Sequence, residues 1–362
     1  MEAKRAWRRW ASAGAATILA AAVAAPAATW AAGRPAVHRS GSSVTLLETG
    51  STLLYPLFNL WVPAYTHTHP GVKITTAATG SGTGISEATS GAVQIGASDA
   101  YLPPAHPSTL MNIPLAISAQ QVNYNVPGLN GVHLKLSGPV LAGIYTGRIK
   151  TWNAAPIRAL NPGVKLPAHA IVPLRRADAS GDTFIFTQYL TFSAGKAWPA
   201  GYGTSVSWPA LPSLVAEPGN SGMVSGLKSI PYSVAYVGVS YLNETNAAHL
   251  GEAKLENRAG NFVLPVAATI ETAAKARVGQ TPPDEALSLV YAPGKDAYPI
   301  INYEYAIVSQ KQASAAVAAA VRSFLTWALT VGNGERFLSQ VHFQPLPPAI
   351  VKMSKAQIAK VR

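Results

Sequence analysis

The sequence predicts an α/β protein organised as two domains. Three observations carry that prediction. Extended apolar runs alternate with stretches of helical periodicity, several of those runs end in turns rich in Gly, Ser and Thr, and 362 residues exceed the usual span of one hydrophobic core.

Taken in order, the chain starts with Lys4, Arg5, Arg8 and Arg9 ahead of the small apolar run Ala11 to Ala28, then Thr-Trp-Ala-Ala. This is the pattern of a secretory signal peptide over residues 1–32, cleaved near Ala31 or Ala32, with a retained membrane anchor as the alternative reading. Gly33 to Ser43 is a polar leader. From Val44 to Ile117 the pattern is strand, helix, strand, short helix, strand, as in a parallel sheet covered by helices. The strands are Val44–Glu48, Val72–Ala78 and Val93–Ile95, and the first helix runs from about Thr52 to Ala64 with Leu53, Leu54, Leu57, Phe58 and Trp61 on a core face. Each strand delivers the chain to a turn: Gly50-Ser51-Thr52, Thr79-Gly80-Ser81-Gly82, and Gly96-Ala97-Ser98-Asp99. Ligands in open α/β sheets bind beyond such strand ends.

Further on, Ile117–Val122 is a candidate crossing between lobes. Val132–Leu136 reads as a strand, Ser137–Thr146 as a helix, and Tyr145 and Trp152 as core and lobe-surface residues. Gly201–Gly226 is dense in Gly, Pro and Ser and reads as loop. A strand at Ala235–Val239 and a helix at Ala267–Val278 follow. Pro299–Val308 is the return crossing, and helices are expected at Gln310–Thr330, Gly334–Val341 and Ser354–Val361. Beyond the leader no apolar run reads as a bilayer span.

The segment Arg175-Arg176-Ala177-Asp178-Ala179-Ser180-Gly181-Asp182-Thr183 precedes the apolar-periodic Phe184–Leu190. It assembles a guanidinium, two hydroxyls and a run of amides at a helix start, which is the chemistry of an oxyanion seat. Taken alone, the same residues would also serve as an ordinary helix cap.

With these segments together, the chain resembles the periplasmic phosphate-binding proteins of ABC-type phosphate importers. The resemblance extends to Gly143–Asn153, Leu160–Pro167 and Ala235–Val239, and spans nearly all of the chain after the leader. It implies a two-lobed, type II periplasmic-binding-protein-like α/β fold, each lobe a mixed, mostly parallel sheet flanked by helices, with the ligand in the interlobe cleft. One lobe would comprise residues 33–120 and 300–362, the other residues 121–299. Carried over residue by residue, the resemblance implies a phosphate site of Thr52, the Leu53 amide, Ser81, Asp99, Arg176, Ser180, Gly181, the Asp182 amide and Thr183, with Asp178 orienting the arginine. Asp182 departs from the family, in which many relatives carry threonine, so its carboxylate is expected to turn away from the ion or to weaken the site. At Leu53 an aromatic residue is common among relatives, but the main chain is what the family uses there.

The chemistry such a site needs is legible in these residue types. Phosphate near neutral pH keeps at least one proton, so its host needs many donors and one acceptor, and an ionised carboxylate can only accept. Asp99 is the expected acceptor. Sulfate has no proton to give and would meet that carboxylate as a buried like charge, at a cost on the order of several kcal/mol. Arsenate keeps the proton and the shape, so it is expected to be tolerated.

Composition limits the rivals. No cysteine occurs, which excludes disulfides, thiolate metal sites and a lipid-modified cysteine anchor. The formal charge is +12; the leader removes four cations and Glu2, leaving +9, an excess that steers small anions. The basic residues are scattered and carry no nucleic-acid motif, so nucleic acid is not an expected partner. None of the eight histidines pairs with carboxylates at metal-ligand spacing, and Ser180 lacks the strand elbow of a hydrolase nucleophile. The expectation is an exported monomer, periplasmic or otherwise extracytoplasmic, with no cofactor and no catalytic turnover, delivering phosphate to an ABC permease. A receptor for another tetrahedral oxyanion, or a relative without transport coupling, are the alternatives.

Overall fold

The structure is a computed structural model and describes residues 43–362; the expected signal peptide and nearly all of the polar leader lie outside the described residues. The first half opens with β1 (Val44–Gly50), α1 (Tyr55–Thr68), β2 (Val72–Thr75), α2 (Ser81–Ser90), β3 (Ile95–Ser98) and the long β4 (Leu110–Asn125). Then come β5 (Lys135–Leu136), α3 (Gly138–Tyr145), α4 (Ala155–Leu160), β6 (Val172–Arg176), α5 (Gly181–Ala194), β7 (Val215–Glu217), α6 (Gly219–Ser229) and β8 (Ser233–Gly238). The remainder is α7 (Leu242–Ala247), β9 (Gly251–Glu252), β10 (Lys254–Glu256), β11 (Phe262–Val263), α8 (Ala267–Lys275), β12 (Ile301–Ser309), α9 (Ala315–Trp327), α10 (Glu335–Leu338) and α11 (Pro348–Ile358).

The main sheet has the order β2-β1-β3-β12-β4-β8-β6-β7. Its two flanks are parallel: β1 lies between β2 and β3 on one side, and β6 between β8 and β7 on the other. The joining strands are antiparallel. β12 pairs with β3 and with the first part of β4, and the second part of β4 pairs with β8. β4 and β12 therefore carry the chain from one parallel half to the other and back. Parallel halves need helical crossovers on their faces, which is why α1, α2, α5 and α6 each follow a strand.

Several sequence expectations shift. The first helix begins at Tyr55 rather than Thr52, because Ser51 Oγ accepts the Leu53 and Leu54 amides at 3.1 and 2.9 Å and holds Thr52–Leu54 as a turn. It also runs on to Thr68, through Pro63. Only Lys135–Leu136 of the expected Val132–Leu136 strand is regular, paired with β10 in a small separate sheet. Gly201–Gly226, read as loop, contains β7 and the start of α6. The long alanine-rich helix is shorter, Ala315–Trp327, followed by a wide turn at Ala328–Gly332; the tail helix begins earlier, at Pro348.

The stretch Ala315–Gly332 is long and apolar enough by composition to cross a bilayer, which the sequence reading did not anticipate. Its Val321, Phe324, Leu325 and Ala328 are fully buried, and Phe324 packs on Phe58 and Tyr65 of α1 at ring separations of 5.9 and 5.1 Å. That face belongs to the core of the first half. Tyr145 and Trp152, read as core and lobe-surface residues, are both fully buried.

Candidate anion site

The site forms where β1, β2, β3 and β6 end. Ser180 is the N-cap of α5, its backbone extended and its Oγ accepting the Thr183 amide at 3.4 Å. The Gly181 position faces the other half so closely that a Cβ there would stand 2.4 Å from both Asp99 Oδ2 and Ser81 Oγ. Only glycine lets the first turn of α5 approach Asp99 this way. Asp99 follows β3 and accepts hydrogen bonds from Ser51 Oγ and, at 3.3 Å, Ser81 Oγ, while its own amide donates to Ser81 Oγ at 3.1 Å.

Arg176 ends β6 and is 2 % exposed. Asp178 takes its Nε at 2.8 Å and its Nη2, a forked pair, and Asp182 Oδ2 takes Nη1 at 2.5 Å. Three of the five guanidinium protons are thereby committed, leaving one on each terminal nitrogen for a ligand. Gly219 N steadies Asp178 at 3.0 Å. Tyr236 on β8 accepts the Arg176 amide at 2.9 Å and shares a 2.8 Å hydrogen bond with Thr183 Oγ1, fixing both residues from below.

All the expected site residues meet in this one region, and Thr52, Ser81, Asp99, Arg176, Ser180, Asp182 and Thr183 are each at most 4 % exposed. The Leu53 and Thr183 amides, expected as ligand donors, have partners within the protein in Ser51 Oγ and Ser180 Oγ. The two halves touch around the site. Gly82 N donates to Ala179 O at 2.9 Å, Ser240 Oγ to Leu53 O at 2.8 Å, and Asn220 N to Thr52 Oγ1 at 3.2 Å. This is a closed arrangement.

The Asp182 carboxylate lies inward, against Arg176. Besides the arginine it receives Asn220 Nδ2 at 2.7 Å on Oδ2 and Gln120 Nε2 at 3.0 Å on Oδ1. Burial pushes this carboxyl up, while the Arg176 charge and the two amides pull it back. Asp99 is pushed up to about 7, first by burial and then by the charge of Asp182, against the hydrogen bonds from Glu304 and Ser51 and the charge of Arg176. Glu304 on β12 is fully buried behind it, bonded by Ser118 Oγ at 2.5 Å and Asn302 Nδ2 at 3.1 Å. Burial and the neighbouring Asp99 raise Glu304 well above the usual carboxylate range. Burial also raises Asp178, but its hydrogen bond and ion pair with Arg176 outweigh this and leave it below its usual value.

Residues 27–331 match the model of the PBP superfamily domain. The phosphate-binding protein PstS of Methanocaldococcus jannaschii is 34 % identical over 346 residues, covering 88 % of this chain and 87 % of that protein. The chain belongs to the PstS-like phosphate-binding protein family. The PstS of Xylella fastidiosa is 32 % identical and covers 87 % of this chain and 85 % of its own length. Among solved structures, a phosphate-binding protein from Stenotrophomonas maltophilia superposes with a TM-score of 0.67 at 20 % identity, over 87 % of this chain and 94 % of that one. A putative phosphate ABC transporter substrate-binding protein from Clostridium perfringens, solved with phosphate, gives 0.60 at 17 %, over 84 % and 100 %. The fold is thus the two-domain periplasmic-binding-protein type, and the family is one of receptors rather than enzymes.

Sequence reading missed Ser51, Gln120, Asn220, Tyr236 and Glu304. Ser51 stood in a turn already singled out, next to Thr52. Asn220 was hidden in a Gly-Pro-Ser stretch read as loop, although Pro218-Gly219-Asn220 before a periodic run is a helix-start pattern. Gln120, Tyr236 and Glu304 sit in strands, where nothing local separates a site residue from a core one.

Proposed function

We propose that this protein is an extracytoplasmic receptor for inorganic phosphate that closes over the ion and delivers it to an ABC permease. One observation carries the reading: a buried carboxylate, Asp99, faces the first turn of α5 and an arginine with two protons still to give. Donors alone would suit any oxyanion. An acceptor set among them selects an ion that still has a proton. The names of the relatives support the same ion.

In this mechanism Arg176, Thr52, Ser81, Ser180, Thr183 and the amides of Gly181 and Asp182 bond the bare oxygens, and the protonated oxygen donates to Asp99. Where Asp99 is ionised, sulfate is excluded because it cannot make that last bond; arsenate can, and enters. Because the Asp99 carboxyl is pushed up to about 7, the exclusion is sharpest above that pH. The lobes are residues 33–120 with 300–362 and residues 121–299, and they hinge on β4 and β12. Closure removes water from the site and strengthens every charged hydrogen bond there. The receptor acts as a monomer.

The experiment is calorimetric titration of protein stripped of anion by unfolding and refolding, with phosphate, arsenate and sulfate, beside Asp99→Asn. Tight one-to-one phosphate and arsenate binding with sulfate silent is expected, and relaxed sulfate exclusion in the Asn variant. No phosphate binding by the unaltered protein sinks the proposal.

A further inference from the structure

Resting on the phosphate reading, we propose that Asn220 is a positioning and specificity-determining residue of the anion site, polarising Thr52 as a pure donor and joining the two halves once they close. Asn220 is the second residue of α6, on the half opposite Thr52, and is fully buried. Its side chain has no freedom of assignment. The carbonyl oxygen accepts Gly238 N at 2.8 Å, which forces the NH2 group toward the site, where it donates to Thr52 Oγ1 at 2.9 Å and to Asp182 Oδ2 at 2.7 Å. The backbone amide of the same residue donates to Thr52 Oγ1 as well, at 3.2 Å.

A hydroxyl has two lone pairs and one proton. With both lone pairs of Thr52 taken by Asn220, its proton is the only part left for a ligand. Thr52 can then bond only a bare oxygen. Asp99 accepts only from a protonated one. Together they fix which corner of the ion carries the proton, so Asn220 takes part in the choice of ion without touching it. The second amide proton, on Asp182, helps hold that carboxylate beside Arg176. The contact also crosses between the halves, so the polarised Thr52 exists only in the closed arrangement, and ion recognition is tied to closure.

The test is a double-mutant cycle on the stripped protein. Asn220→Ala is expected to weaken phosphate binding at least tenfold, and the loss in the Asn220→Ala, Thr52→Ala double variant should fall well short of the product of the two single losses, because most of the Asn220 effect passes through Thr52 and only the bond to Asp182 is separate. Losses that multiply fully, or an unchanged affinity in Asn220→Ala, overturn the proposal. Should Asn220→Ala fail to fold, Asn220→Asp keeps nearly the same shape. Its carboxylate would face Asp182, with Arg176, Asp178 and Asp99 as the other nearby charges, Asp99 titrating in the unaltered protein as well, and with Tyr236 and Tyr241 as the phenols that feel the Asp182–Arg176 pair. Phosphate affinity of Asn220→Asp should fall well below that of the unaltered protein at pH 8 and recover toward it at pH 5.5, where a proton restores one donor. A pH profile parallel to that of the unaltered protein overturns the proposal. Failure of the unaltered protein to bind phosphate is a separate outcome and sinks the receptor reading itself.

Discussion

Gly181 concentrates the geometry of the site in one missing atom. A methyl group there would lie 2.4 Å from the Asp99 carboxylate and from Ser81 Oγ, far inside contact distance, and neither atom is at the end of a long flexible chain. The helix start would have to retreat from Asp99. Gly181→Ala is therefore expected to lose at least a hundredfold in phosphate affinity, roughly the 2.7 kcal/mol that two powers of ten represent, while its melting temperature without phosphate changes little. Titration calorimetry beside a thermal melt separates the two. At this scale the sequence was informative where chemistry is local: Arg176, Asp178, Ser180 and Gly181 sit in one nine-residue stretch whose residue types already spell anion binding. It was silent on the bonds that select roles. Nothing in the chain near Asp182 says that Gln120 and Asn220, which lie 62 and 38 positions away, would hold its carboxylate.

The elements supply rigidity behind these residues. α1 and α9 face each other through Phe58, Tyr65 and Phe324, all fully buried, and Trp61 closes the far end by donating to Gly332 O at 2.9 Å. Removing the Phe324 ring leaves a cavity that packed aromatic neighbours cannot fill, so Phe324→Ala should cost about 3–5 kcal/mol of stability. Its phosphate affinity should stay within twofold, because this cluster is not among the residues that make up the site. Urea unfolding and calorimetry test the two halves of that statement. Periodicity exposed most helices, since a face that must be buried repeats its apolar residues. It failed on α6, where Gly219, Asn220, Ser221 and Gly222 open the helix with residues that favour turns. It failed again at Val132–Leu136, where a strand-like composition finds only two residue pairs with the three-residue β10.

At the scale of the whole molecule, buried carboxyls set how stability varies with pH. The Asp99 carboxyl is at about 7 in the folded protein against an ordinary 3.8, and burial likewise raises Asp182, Glu48 and Glu304. Between these limits the folded state keeps a proton that the unfolded state has lost, so stability falls as pH rises. Phosphate-free protein should melt at a progressively lower temperature from about pH 5 to about pH 7.5, and Asp99→Asn should show a shallower decline. A melting temperature that climbs over that interval would falsify the assignment. Asp178, lowered by Arg176, acts in the opposite sense and only at acid pH, its contribution disappearing as pH falls through its depressed value. The order of the main sheet has a consequence for how the protein is made. β12 lies between β3 and β4, although Ile301 follows Ser98 by about two hundred residues, so the centre of the first half is missing until most of the chain has been synthesised. Such distant pairings form slowly. A ribosome therefore releases a long stretch that cannot yet complete its own core.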